Sequence, residues 1–211
     1  MKYFGTDGFR GRANEGLNVE HAFKIGRFVG WYYGARQDRK ARVVVGKDTR
    51  RSSYMFESAL VAGLVASGAD AYLLHVIPTP GVAYETVDGR FDCGIMISAS
   101  HNPMPDNGIK FFAHGGYKLA DAVEDQIEAL VNTDWDRPTG DAVGEINADH
   151  AWAKDSYIAH LVEAIGTDLR GMKIAIDCAN GAASELGPAV FRELGADITV
   201  INASPTGATS T

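Results

Sequence analysis

Asp92-Cys93-Gly94-Ile95-Met96-Ile97-Ser98-Ala99-Ser100-His101-Asn102-Pro103-Met104-Pro105-Asp106-Asn107-Gly108-Ile109-Lys110-Phe111-Phe112 is the stretch whose reading decides the fold. Two apolar runs of strand length, Asp92 to Ser98 and Gly108 to Phe112, flank a polar connection rich in Ser, Asn and Pro. Only nine residues, 99–107, separate them. That is too few for a helical crossover, so the two strands are expected to pair antiparallel.

Upstream, strand-like runs alternate with helical periodicity, as in layered α/β folds. Asn18 can cap a helix with Ala22, Ile25, Val29 and Tyr33 on one face. Arg42 to Gly46 reads as a buried strand. A helix from Ser52 or Ser53 follows, with Phe56, Leu60, Val61 and Leu64 inward and Gly68 as its stop. Ala71 to Ile77 is the next strand, and Gly81 to Val87 a short helix. These neighbours should run parallel, which makes the sheet mixed.

Downstream, Asp121 and Glu124 suggest a capping-box start for a helix that uses Val123, Ile127, Leu130 and Val131. Asn132 to Asp149 is polar and turn-rich, a loop or a small hairpin. A helix opening at Asp155 should turn Tyr157, Ile158, Leu161, Val162 and Ile165 inward and stop at Gly166. Met172 to Cys178, Ser184 to Leu194 and Ile198 to Ile201 read as a β–α–β unit. The expected fold class is α/β: a three-layer mixed-sheet domain with helices on both faces over residues 1–150, then a partial second α/β domain over 151–211. With only two strands, that second unit leaves a sheet edge open, so the sequence is expected to be the front part of a longer protein.

Formal net charge is −7, which argues against broad attraction to nucleic acid or to an anionic membrane. No segment approaches the ~20 continuous apolar residues that span a bilayer. The first residues carry no apolar signal core, so a cytoplasmic location is expected. Cys93 and Cys178 sit in apolar runs and read as buried reduced thiols; Cys and His at zinc-ligand spacing are lacking.

The reactive residue types concentrate in Ser98 to Pro103. A strand's C-terminal end is where open α/β sheets place their sites. Small neighbours let the Ser100 hydroxyl approach a bulky anion, and Pro103 restricts the loop. A serine that carries phosphate needs cationic company, which His101, Lys110, Arg10 and Arg12 could supply if the fold gathers them. The alternative is a tight turn whose Ser and Asn serve only the backbone. A hydrolase triad is disfavoured: Gly-x-Ser-x-Gly is absent, and in an extended segment His101 would point away from Ser100. Gly5-Thr6-Asp7-Gly8-Phe9-Arg10-Gly11-Arg12 reads as a glycine-rich loop able to bend close to a phosphate. Gly46 to Ser53, running from a strand end into a helix N-terminus, reads as favourable to an anion but lacks Walker spacing.

Taken in order, Gly5 to Gly11, Val45 to Arg50, Thr79-Pro80, Gly94 to Phe112 and Asp177 to Ala182 resemble the α-D-phosphohexomutases over nearly the whole chain. The resemblance implies that Ser100 is a phosphoserine that passes its phosphoryl group to a sugar monophosphate. The bisphosphate so formed turns over and returns its other phosphate to the serine. Thr6 to Arg10 favours the branch that interconverts glucosamine 6-phosphate and glucosamine 1-phosphate, with mannose or glucose phosphates as the alternative. His101, Asn102, Lys110 and Arg10 match family active-site positions. Lys110 is then a proton shuttle or a plain phosphate counter-charge.

The implied cofactors are Mg2+, held partly through the Ser100 phosphate, and a sugar bisphosphate activator, glucosamine 1,6-bisphosphate. The family's remaining aspartate ligands find no match in this sequence, so the chain alone is expected to be inactive. Met104-Pro105 and Pro205-Thr206-Gly207 also depart from the family's pattern. The partner is a phosphosugar, not nucleic acid or membrane, and a homodimer is left open. From other classes, a non-catalytic assembly module using the open sheet edge and a nucleotide-binding domain compete with this reading.

Overall fold

The computed structural model describes residues 4–5, 8–34, 38–130, 133 and 136–208. Nine strands and six helices are assigned among them: β1 (Phe4–Gly5), β2 (Gly8–Arg12), α1 (Val19–Gly34), β3 (Arg42–Lys47), α2 (Arg51–Ala66), β4 (Asp70–Val76), α3 (Thr79–Asp88), β5 (Cys93–Ile97), β6 (Asp106–Ala113), α4 (Asp121–Leu130), β7 (Ile146–Asn147), α5 (Ala151–Ile165), β8 (Lys173–Asp177), α6 (Leu186–Glu193) and β9 (Asp197–Ile201). Seven strands form one sheet in the order β1-β2-β6-β5-β3-β4-β7, and β8 with β9 form a second. β4, β3 and β5 run parallel, while β6 returns antiparallel to β5 and β2 antiparallel to β6. The mixed α/β sheet is therefore as expected.

Strand parity sorts the two faces. Phe9, Ile95, Ile97, Ile109 and Phe111 join a core with Ile25, Phe28, Phe56, Leu60 and Leu64 beneath α1 and α2. Val44, Leu74, Met96 and Phe112 face the other way, with Val82 of α3 and Ala153 and Tyr157 of α5. Helices thus cover both faces and each core is apolar packing, worth about 1.5–3 kcal/mol for each large side chain removed from water. α1 and α2 cross closely: a Cβ at Gly26 would stand 2.1 Å from the Leu60 carbonyl oxygen, and one at Gly63 2.1 Å from that of Phe23. Asn18 caps α1, its Oδ1 accepting the His21 N–H at 2.9 Å.

Several local expectations change. The N-terminal glycine-rich segment is not a free loop over Gly8–Arg12 but a strand, paired Arg10 to Gly108 and Arg12 to Asp106. Thr6 and Asp7 lie outside the described residues, as do Val131 and Asn132 of the expected fourth helix and the following loop. α3 begins at Thr79 rather than Gly81, because Pro80 in its first turn needs no intrahelical N–H partner. At α4, Lys118 binds Asp121 at 2.9 Å and Glu124 at 3.1 Å, an ion-pair cluster over the helix's first turn. The stretch before Asp149 contributes β7, which pairs parallel with β4 and adds the outermost strand. α5 starts four residues earlier than expected, at Ala151, and Ile165 at its end is exposed rather than inward. α6 starts at Leu186, two residues after Ser184. No helix among the described residues is long and apolar enough to cross a membrane.

The β8–α6–β9 unit packs beside the larger sheet's C-terminal strand ends and α5. Thr49 Oγ1 donates to the Asn180 carbonyl at 2.7 Å, and Leu186 enters the α3–α5 core.

Candidate active site

β5 ends at Ile97, and the connection to β6 carries Ser100 on an exposed turn. Its backbone is left-handed, φ +59, an uncommon conformation for a residue with a Cβ and a marker of stored strain. That twist overturns the extended geometry expected for Ser100-His101. His101 Nδ1 comes within 3.3 Å of Ser100 Oγ, so the two side chains meet rather than diverge. The contact is long for an O–H···N bond but places an imidazole at the hydroxyl.

What holds the strained turn is buried beneath it. Asp48 and Arg50 follow β3, whose C-terminal end lies beside that of β5. Arg50, 1% exposed, donates through Nη2 to the carbonyls of Ser100 (2.8 Å) and Asn102 (2.9 Å) and through Nη1 to that of Pro103 (2.9 Å). Its Nε donates to Asp48 Oδ2 at 2.8 Å. The same carboxylate accepts from Ser98 Oγ at 2.7 Å and from Ser53 Oγ at 2.7 Å, and Ser98 Oγ in turn accepts the Ser100 N–H at 3.0 Å. Asn107, fully buried, fixes the return strand by donating to Ser52 Oγ (2.8 Å) and Ser53 Oγ (3.0 Å).

Lys47 to Arg50 are consequently scaffold beneath the turn, with Asp48, Thr49 and Arg50 also lining the serine cavity and Arg51 exposed beside it. Lys47, Asp48, Thr49 and Arg50 are all buried. The Arg50 and Arg51 N–H groups are taken by Asp48 and by the Gly207 carbonyl. Lys47 Nζ donates to Glu57 at 2.5 Å and to His75 Nδ1 at 3.0 Å. That bond requires the His75 tautomer with its proton on Nε2; burial, and then Lys47, hold its pKa below the usual imidazole value.

The cations singled out in the sequence are placed by strand register. Arg10 pairs with Gly108, which pairs in turn toward β5, and β2 runs in the same direction as β5. A Cβ at Gly108 would lie 2.9 Å from both Arg10 Cγ and the Ser98 carbonyl oxygen. Arg10 therefore drapes over a residue that must be glycine, next to the serine loop. Lys110, half-buried, lies opposite Met96, on the same face of β6 as Gly108 and two residues further along. Asn102 is turned back into the loop, where Nδ2 donates to Asp106 at 3.1 Å.

Two cavities border this region. The larger, about 920 Å³, is lined by Arg51, His75, Lys154 and Arg192 and contains no Ser100. The smaller, about 320 Å³, is lined by Ser98, Ser100, Met96, Thr79, Cys178 and Gly181 among others, and we place the candidate site there because it holds the exposed hydroxyl. Arg10, Lys110, His101 and Asn102 do not line it. Cys178 and Gly181 to Ala183 lie across the cleft; the sequence reading set Cys178 to Ala182, Asp48 and Arg50 within notable stretches but assigned none of them a place at the serine. A carboxylate and a guanidinium two residues apart at a strand end were the available signal.

Residues 1–137 match the model of phosphoglucomutase/phosphomannomutase, alpha/beta/alpha domain I. The chain is 54% identical to a phosphoglucosamine mutase of Lachnoclostridium phytofermentans and 51% identical to one of Lachnospira eligens, in each case over 98% of this chain and 46% of the relative. It therefore spans about half the length of the curated relatives it matches. A crystal structure of a phosphoglucomutase/phosphomannomutase family protein from Burkholderia thailandensis superposes with a TM-score of 0.81 at 25% identity, covering 100% of this chain and 46% of that one. The chain belongs to the phosphoglucomutase/phosphomannomutase family, with residues 1–137 as its α/β/α domain I.

Proposed function

We propose that this chain is part of a phosphoglucosamine mutase that interconverts glucosamine 6-phosphate and glucosamine 1-phosphate through a phosphoserine at Ser100 and a sugar bisphosphate. The observation that carries the reading is the exposed hydroxyl of Ser100 on a strained turn, opening on a cavity and pinned from beneath by Arg50. In the forward half-reaction the Oγ–P bond breaks as a sugar hydroxyl oxygen bonds to phosphorus; the sugar hydroxyl gives its proton to a base and the departing Ser100 Oγ takes one up. In the return half the other phosphate's O–P bond breaks and Oγ–P re-forms, the Ser100 hydroxyl giving up its proton and the freed sugar oxygen gaining one. Positioning and charge neutralisation carry most of such a transfer. Arg10 serves as a forked phosphate donor and Lys110 as proton carrier or counter-charge at Nζ. His101 is poised at the nucleophile, and Asn102 keeps the loop closed through Asp106.

Magnesium, when bound, would neutralise phosphate charge. Among the described residues, however, no group of three or more His, Cys, Asp or Glu could hold a metal. Asp48 is committed to Arg50, Ser53 and Ser98. The described residues do not by themselves make a magnesium site, and the Ser100 phosphate would be a ligand this stretch supplies. A sugar bisphosphate would serve to load the serine, and the cytoplasm suits a phosphosugar substrate. We assign residues 1–150 to the phosphoserine domain and 151–211 to the start of a second; the separate two-stranded sheet supports that division, although α5 packs on the first core.

The test uses the protein that carries this chain. After incubation with glucose 1,6-bisphosphate, peptide mass spectra should show phosphate on the segment containing Ser100, and Ser100→Ala should abolish both the label and turnover of glucosamine 6-phosphate. Turnover retained by Ser100→Ala refutes the assignment.

A further inference from the structure

We propose that Arg50 is a positioning residue for phosphoryl transfer, holding the Ser100 turn in the one backbone geometry from which the hydroxyl can exchange phosphate; this rests on the mutase reading of Ser100. Four of its five N–H donors are committed, one to Asp48 and three to the carbonyls of Ser100, Asn102 and Pro103. Ser98 completes a ring: its hydroxyl accepts the Ser100 N–H and donates to Asp48. Both backbone polar groups of Ser100 thus end on the same buried ion pair, one directly and one through Ser98.

Two physical consequences follow. A φ of +59 at a serine persists only where its surroundings over-determine it, and the ring does so. The three carbonyl dipoles also converge on the guanidinium, so their negative ends are directed at Arg50 and not at an arriving phosphoryl dianion. Arg50 itself is no phosphate ligand, because it is 1% exposed and its charge is balanced by Asp48 at 2.8 Å. A lysine there would keep the charge but, lacking a planar fork, could not span three carbonyls and a carboxylate.

The experiment measures single-turnover phosphorylation of Ser100 by saturating glucose 1,6-bisphosphate in the protein that carries this chain. Arg50→Lys should slow the transfer about 100-fold, the order expected for a misplacement of about 1 Å, with bisphosphate affinity little changed. Hydrogen exchange should quicken at the amides of residues 99–102, 104 and 106 while those of β3 stay protected. A rate within threefold of wild type, or unchanged exchange in the loop, overturns the proposal. Should Arg50→Lys fail to fold, Ser98→Ala decides: it cuts the ring at a half-exposed side chain and should slow transfer, with Ser98→Thr restoring it, and a wild-type rate in Ser98→Ala overturns the proposal. If the wild-type protein takes no phosphate on Ser100, the mutase reading itself is wrong and this inference falls with it.

Discussion

Glu85 offers a quantitative test of how α3 and α5 are joined. Its carboxyl is fully buried on α3, with the Ser156 hydroxyl nearby but no hydrogen bond of ordinary geometry to either oxygen. Burial pushes its pKa up from 4.5 to about 7, Ser156 draws it back somewhat, and the Asp88 charge adds a little. Between these two values the folded chain keeps a proton that the unfolded chain has lost. The contribution to stability is therefore complete below pH 4.5 and is lost as pH rises through about 7. At about 1.4 kcal/mol for each tenfold change in proton affinity, the gap comes to about 3 kcal/mol. Urea unfolding of wild type and Glu85→Gln at pH 4.5 and pH 8 should show wild type falling by about that much relative to the variant. Any cost of burying the Gln amide is the same at both pH values and cancels. A difference between the two proteins that stays constant to within about 0.5 kcal/mol would refute the reasoning, because it would mean that the carboxyl is solvated in the folded state.

Ser100→Gly should raise stability by about 1 kcal/mol in chemical denaturation, since glycine adopts a φ of +59 without strain; a loss of stability would show that the turn is not strained. Glu57→Gln should cost about 3–5 kcal/mol by the same measurement, because it strands the fully buried Lys47 charge. Lys47→Met combined with Glu57→Leu should recover most of that loss.

The parts of the fold that follow from local pattern were readable in the sequence. The antiparallel return of β6 followed from a connection too short for a crossover, and α1 from Asn18 and its apolar spacing. What escaped reading depends on contacts distant in the chain. Arg10 lies in a strand because β2 pairs with residues almost a hundred positions away, and glycine-rich composition gives no sign of that pairing. Arg50 is a charged residue in a polar stretch, which normally means solvent; only the arrival of the Ser100 turn above β3 buries it. The positive φ of Ser100 has no sequence marker either, since serine has no preference for that region, and so the approach of His101 was invisible too.

The alternation along β5 and β6 has a further consequence for what the gene can tolerate. Met96, Ser98, Gly108 and Lys110 share one parity, and Ile95, Ile97, Ile109 and Phe111 the other. Inserting a single codon within either strand would exchange the two sets, driving a lysine into the core beneath α1 and α2 and isoleucines onto the face that carries Met96 and Ser98. Length variation among relatives should therefore fall outside both the sheet and the turn that Arg50 holds, and an odd-length change inside Cys93–Ile97 or Gly108–Ala113 should abolish folding and catalysis at one stroke.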